Sequence, residues 1–97
     1  MTPALSFHPE AVAEARAAWR WYAERSPLVA AAFVAELDVA MDRISEAPSR
    51  WPQYLEGSRR YVMRRFPFVV VYREREGTLE VLAIAHGRRR PGYWRIR

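Results

Sequence analysis

Apolar residues recur along this chain with one period, then another, then the first again: alternation, then every third or fourth residue, then short apolar runs broken by turns. Leu5 and Phe7 alternate with Ala4 and Ser6, a short strand that ends where Pro9 can occupy the first turn of a helix. From there to about Arg25, Val12, Ala15, Trp19 and Tyr22 share one helical face, with Arg16, Arg20 and Glu24 opposite. Trp19 therefore belongs to the core stripe. Trp21, about 200° away around a helix of about 3.6 residues per turn, does not. Ser26-Pro27 reads as an N-cap followed by proline at the first helical position. A second helix follows after almost no loop, which makes an antiparallel hairpin. Its stripe is Phe33, Leu37, Met41 and Ile44, widened by Ala30 and Val34, until Ala47-Pro48 ends it.

Pro48 to Gly57 is the one loop long enough to separate two halves of the chain. Beyond it the period changes. Arg60–Arg65, Phe68–Arg73 and Leu79–His86 are rich in Val, Ile, Tyr or Phe and are bounded by turn signals. Phe66-Pro67 makes a corner and Glu76-Gly77 a short hairpin, so sequential antiparallel pairing is the economical topology. Phe68 to Tyr72 is apolar throughout, which predicts a middle strand covered on both faces. In the strand before it, alternation sends Arg60 and Arg64 to one face and Arg65 to the other. The expected architecture is a single α+β domain over residues 1–97: an N-terminal strand, a helical hairpin, then a three-stranded antiparallel meander. A chain this short buries roughly 60 to 65% of its unfolded surface, so its core is modest.

Charge changes the picture at the same boundary. The formal net charge is +5, but residues 1–57 hold five Arg against eight acidic residues, while residues 58–97 hold eleven Arg against three Glu. All sixteen basic residues are arginine, which suits bidentate recognition of phosphate or carboxylate. An Ala-rich, GC-biased coding sequence also explains the missing lysine, so the placement of arginines carries more than their number.

With no cysteine the chain has no disulfide, thiolate chemistry or Cys-based zinc site, which fits a reducing cytosol. Two histidines, His8 and His86, cannot form a His-rich metal site, and neither has a carboxylate pair at ligand spacing. No metal or other cofactor is expected. The N-terminus lacks the basic and apolar regions of a signal peptide, and the longest apolar stretch, Leu28–Met41, is interrupted by Glu36 and Asp38 and is too short to span a bilayer. A soluble cytoplasmic protein without membrane contact is expected.

Candidate chemistry gathers at the end of the last strand. Leu79-Glu-Val-Leu-Ala-Ile-Ala runs into His86, Gly87, Arg88, Arg89, Arg90 and then Pro91-Gly-Tyr93-Trp94. A rigid strand that ends in these groups can bind phosphate, hold an anionic partner or move a proton. His86 also suits a plain hydrogen bond to a neighbouring backbone group, and His8 suits a helix start. Trp21, Tyr93 and Trp94 are candidates for exposed partner contacts, whereas Tyr72 reads as core.

Two segments together resemble the ParE/RelE family of toxins, the toxic halves of type II toxin–antitoxin pairs. They are Arg59-Arg-Tyr-Val-Met-Arg-Arg-Phe-Pro-Phe-Val-Val-Val-Tyr72, and Val81-Leu-Ala-Ile-Ala-His-Gly-Arg-Arg89 with Pro91-Gly-Tyr-Trp94. The resemblance covers nearly the whole chain and implies the same strand, hairpin and meander. It also implies one of two activities. ParE-like members act on DNA gyrase; RelE-like members are metal-independent endonucleases that cut messenger RNA, usually on the ribosome. Cleavage needs a base, an acid and fixed positive charge on the phosphate. By resemblance, Arg89 matches a phosphate-binding arginine, Tyr93 lies near a tail tyrosine, and His86 supplies an acid or base.

The same resemblance places a second phosphate-holding arginine a few residues before the middle strand's tyrosine, and here that place is Val69. Losing one preorganised donor forfeits about 3 to 4 kcal/mol in comparable sites. Arg64 or Arg65 from the neighbouring strand are the substitutes. The long, closely linked hairpin is also more similar to ParE. The expected function is thus a gyrase-directed toxin neutralised by a cognate antitoxin, with a ribosome-dependent messenger RNA endonuclease as the alternative. Arg60, Arg64, Arg65, Arg88, Arg89, Arg90, Tyr93 and Trp94 are its expected target- or antitoxin-binding residues. A function of another class is a basic nucleic-acid-binding module, in which arginines interleave with Tyr61, Tyr93 and Trp94 on a single strand.

Overall fold

The computed structural model describes residues 4–97. In chain order, strand β1 is Ala4–Phe7, helix α1 Pro9–Ala23, helix α2 Pro27–Glu46, strand β2 Arg59–Val62, strand β3 Phe68–Arg75 and strand β4 Thr78–His86. His8 caps α1 with its ring Nδ1, which accepts the Glu10 N–H at 3.1 Å. Ser26 Oγ caps α2 by accepting the Val29 N–H at 3.3 Å, with Pro27 at the first helical position. Each cap satisfies an amide that the helix itself cannot. The hairpin link is therefore as short as the sequence implied.

The strands form one four-stranded mixed sheet in the order β1-β4-β3-β2. The meander is antiparallel, and β1 adds to it parallel to β4, with Leu5 opposite Leu79 and Phe7 opposite Val81. Between β3 and β4 the two-residue turn places Glu76 at φ 53° and Gly77 at φ 76°. That double left-handed turn matches the twist of a hairpin. The strand expected over 60–65 ends at Val62, because Phe66-Pro67 turns the chain and residues 64 and 65 already lie in the bend. Arg64 and Arg65 consequently do not alternate across a sheet.

Both faces of the sheet are covered. On one, the hairpin packs Ala11, Ala18, Phe33, Ala40 and Ile44 against Tyr61, Val70, Tyr72, Leu79, Val81 and Ile84. Phe33 is the centre of a ring cluster, with centroids 5.5 Å from Tyr22, 5.4 Å from Phe66 and 5.6 Å from Phe68. On the other, Val71, Leu82, Ala83 and Ala85 are closed over by Trp94, Tyr93, Tyr54 and Leu55. The middle strand is buried on both sides, as its unbroken apolar run required. A β-bulge assists: Val71 pairs with Ala83 and Tyr72 with Val81, so Leu82 is the extra residue. Leu82 and Ala83 then both pack on the second face.

The inner stripe of α1 differs from the expected one. Trp19 is 45% exposed, whereas Ala11 and Ala18 are 0% and 7% exposed. The helix lies down through its alanines, 11, 15 and 18, and the small side chains let its backbone approach the sheet. Trp19, one residue past Ala18, is carried about 100° around the axis to solvent. Val34 of α2 is likewise exposed, and Ala40 takes an inner position.

Candidate functional site

The tail after β4 is fastened to α1 by one carboxylate. Glu14 occupies the inner side of α1 next to Ala11, Ala15 and Ala18, and its side chain is 14% exposed. Its Oε1 accepts the Ile84 backbone N–H at 3.1 Å and Arg97 Nη1 at 2.8 Å. Its Oε2 accepts the Tyr93 hydroxyl at 2.6 Å and Arg89 Nη1 at 3.4 Å. Arg97 also donates to the Leu82 carbonyl at 2.9 Å. β1 ends its pairing at Val81, so Glu14 and Arg97 satisfy backbone groups of β4 that no strand reaches. Arg89 and Arg97 also lie over the Tyr93 ring, 3.7 and 5.1 Å from its centroid.

This arrangement fixes the ionisation of the tail. Burial, then the hydrogen bond and charge of Glu14, push the Tyr93 hydroxyl well above its ordinary range, against the smaller pull of Arg89 and Arg97. Burial opposes charge on Arg97, but Glu14 outweighs it and holds the guanidinium more firmly protonated. Tyr93 is thus a donor and not a base. His86 spends Nδ1 on the Arg88 N–H at 3.1 Å, and its ring meets Phe68 edge-on, centroids 5.2 Å apart.

Between α1 and the end of β4 lies a groove of about 440 Å³. Ala17, Ala18, Tyr22 and Phe68 give it apolar walls, and His86, Arg89 and Glu14 its polar rim. Trp21 lines it and is 53% exposed, with the Arg25 guanidinium 3.6 Å from its ring centroid. Trp21 therefore stands outside the core, as its helical position required.

The remaining candidates are dispersed. Trp94 is buried, 4% exposed, and stacks on Tyr54 at 5.6 Å, so it is part of the second core and offers no contact surface. Tyr72 is also core: its hydroxyl donates to the Pro48 carbonyl at 2.5 Å, and burial, eased by Arg59 and reinforced by Glu74, pushes its pKa up to about 12. Val69 sits on the second face against the cluster that the tail closes. Arg65 is paired with Glu36 of α2 at 3.2 Å, and Glu36 also accepts the Arg64 and Arg65 backbone N–H groups at 2.7 and 2.8 Å. Arg88 and Arg90 are exposed, and Arg60 lies over the Tyr54 ring, 5.0 Å from its centroid. Sequence reading passed over Glu14 and Glu36, the two acids that organise these arginines. A signal existed for Glu14: it falls three residues after Ala11 and four before Ala18, on the alanine face. Among the described residues no group of three or more His, Cys, Asp or Glu side chains is placed to hold a metal ion, and no helix is long and apolar enough to cross a membrane.

A strand, a helical hairpin, a mixed sheet and a basic tail clasped to the first helix define a small α+β fold. Residues 5–91 match the ParE toxin of type II toxin-antitoxin system, parDE, and the chain belongs to that family. Among solved structures, a chain of the chromosomal ParDE TA system from P. aeruginosa is similar in fold, with a TM-score of 0.77 and 19% sequence identity. The similarity covers 88% of this chain and 96% of that one. No curated protein matches the sequence significantly.

Proposed function

We propose that this ParE-family toxin inhibits growth in the cytoplasm by binding DNA gyrase, alone or engaged on DNA, through its basic sheet-and-tail surface, and that a cognate antitoxin neutralises it. The observation that carries the choice of binding over cleavage is the engagement of Glu14. Arg89 and Tyr93, the tail groups a messenger RNA endonuclease needs at the phosphate, both end on that carboxylate, at 3.4 and 2.6 Å. A phosphate entering there meets a negative charge. At Val69 the other expected phosphate ligand is replaced by an apolar side chain under the tail. Arg60, Arg64, Arg88 and Arg90 have no carboxylate within salt-bridge distance among the described residues and are left for the target. Binding of this kind uses no cofactor. The groove beside Trp21, apolar inside, suits a disordered antitoxin segment that brings an apolar side chain.

Controlled expression in a bacterium tests the reading, with plasmid supercoiling, a DNA-damage reporter and transcript cleavage followed together. Altered supercoiling with intact transcripts is expected. Codon-positioned transcript cuts with unchanged supercoiling reverse it in favour of the endonuclease. The His86→Ala/Arg89→Ala double variant is expected to weaken toxicity and not abolish it, since Arg60, Arg64, Arg88 and Arg90 remain for the target.

A further inference from the structure

The arginines that the fold leaves unpaired are concentrated away from the tail. Six of the sixteen, at positions 25, 65, 73, 89, 95 and 97, have a carboxylate within salt-bridge distance. Around Trp51, at the foot of α2, five have none among the described residues: Arg43, Arg50, Arg59, Arg60 and Arg64. Three of these, Arg43, Arg50 and Arg64, line one pocket of about 360 Å³ together with Glu46, Ala47 and Trp51. The pocket is held open by backbone bonds and not by ion pairs. Trp51 Nε1 donates to the Arg43 carbonyl at 3.3 Å, and Glu36 fixes the backbone of Arg64. Arg59 Nη1 donates to the Trp51 carbonyl at 2.7 Å, and the Arg60 N–H donates to the Pro52 carbonyl at 3.1 Å.

Three arginines on the wall of one cavity that carries a single carboxylate bring excess positive charge together, and folding gains nothing from it. Arg43, in the last turn of α2, offsets the negative end of the helix dipole. Arg50 and Arg64, beyond the helix and exposed, have no such account. Arg50 instead lies over the Trp51 ring, 5.2 Å from its centroid. Arginines gathered around an aromatic side chain suit a phosphate with its nucleotide, and the further positive charge of Arg59 and Arg60 exceeds what one phosphate neutralises.

We propose that the pocket formed by Arg43, Arg50 and Arg64 beside Trp51 binds a backbone phosphate of a nucleic-acid strand, which continues past Arg59 and Arg60. The site is distinct from the tail and does not depend on the gyrase reading, because purified toxin alone displays it. It would give the toxin a grip on the nucleic acid that accompanies its target.

The test is fluorescence anisotropy of purified toxin with a labelled single-stranded oligonucleotide of about 12 nucleotides across a salt series. Arg50→Glu/Arg64→Glu is compared with Arg16→Glu/Arg20→Glu, an equal charge change on the outer face of α1. The pocket variant is expected to bind about tenfold more weakly or worse, with a log-log salt slope reduced by about 0.7, the share of the one phosphate the pocket holds. The control is expected to change affinity by less than about twofold. Should the Glu pair disturb folding by circular dichroism, Arg50→Gln/Arg64→Gln carries the same comparison. Equal loss in pocket and control variants, or unchanged binding by the pocket variant, overturns the proposal. So does an acidic peptide of matched charge that binds as tightly and with the same dependence on Arg50 and Arg64, since the pocket would then be a carboxylate site.

Discussion

Trp19 and Ala18 show how one residue step reverses a role. Size favours the tryptophan as a core residue, yet the alanine is inside, because a helix lying on a sheet through small side chains has no room for an indole. Filling Ala18 is therefore expected to be worse than emptying Trp19. Ala18→Leu should destabilise the protein by about 1 to 3 kcal/mol through overpacking, while Trp19→Gln should stay within about 0.5 kcal/mol. Urea titration of both variants checks the difference, and the reverse order would place Trp19 in the core. Phe33, at the centre of the ring cluster, behaves in the ordinary way for its size.

Between elements, two acids of the hairpin tie it to the basic half of the chain. Glu36 joins α2 to the bend after β2. Burial by itself would raise its carboxyl, but the Arg64 and Arg65 N–H groups and the Arg65 guanidinium outweigh burial and hold it below its ordinary value of 4.5. A carboxylate more acidic folded than unfolded contributes fully above that value and loses its contribution as the pH falls through the folded one. Glu36→Ala is expected to lower stability by about 1 to 2 kcal/mol at neutral pH and to flatten the acid limb of a stability–pH profile. Glu14 ties the tail to α1 through its hydrogen bonds to Arg89, Tyr93 and Arg97. Tyr93 is less acidic folded than unfolded, so its contribution is complete below its ordinary value of 10.0 and declines as the pH rises beyond it. Glu14→Ala is expected to cost about 2 to 3 kcal/mol and to bring the Tyr93 titration, followed by phenolate absorbance, down towards 10.0. An unchanged titration would mean that burial alone sets it.

For the whole molecule, the tail is both a surface and a wall. Arg88 and Arg90 are exposed, but Tyr93 and Trp94 close the second core over Val71, Leu82, Ala83 and Ala85. Removing residues 88–97 is thus expected to expose an apolar sheet face, read as dye binding and aggregation, whereas Arg88→Ala/Arg90→Ala should keep the fold and reduce target affinity. If the shortened chain stays soluble and folded, the tail is a surface appendage only. Charge is also sorted at this scale. Glu14 and Glu36 neutralise arginines of the tail and of the bend after β2, while those at the foot of α2 and Arg88 and Arg90 at the start of the tail have no carboxylate partner among the described residues.

The sequence by itself determined the elements and their order: both caps, the short hairpin link, the two-residue turn at Glu76-Gly77, the double burial of β3 and the membership of Trp21 outside the core. These are local matters, set by backbone preference and by periodicity within a few residues. The family was also legible, because the Arg-rich strand, the Phe-Pro corner and the His-Gly-Arg-Arg run are contiguous. Only the tertiary structure decided that β1 joins β4 in parallel, that alanines and not Trp19 face inward on α1, and that Trp94 is a core residue. It also decided which arginines are free. Glu14 is 75 residues from Arg89 and Glu36 is 29 from Arg65, and a carboxylate that neutralises a cation across such a distance leaves no periodic trace in the chain.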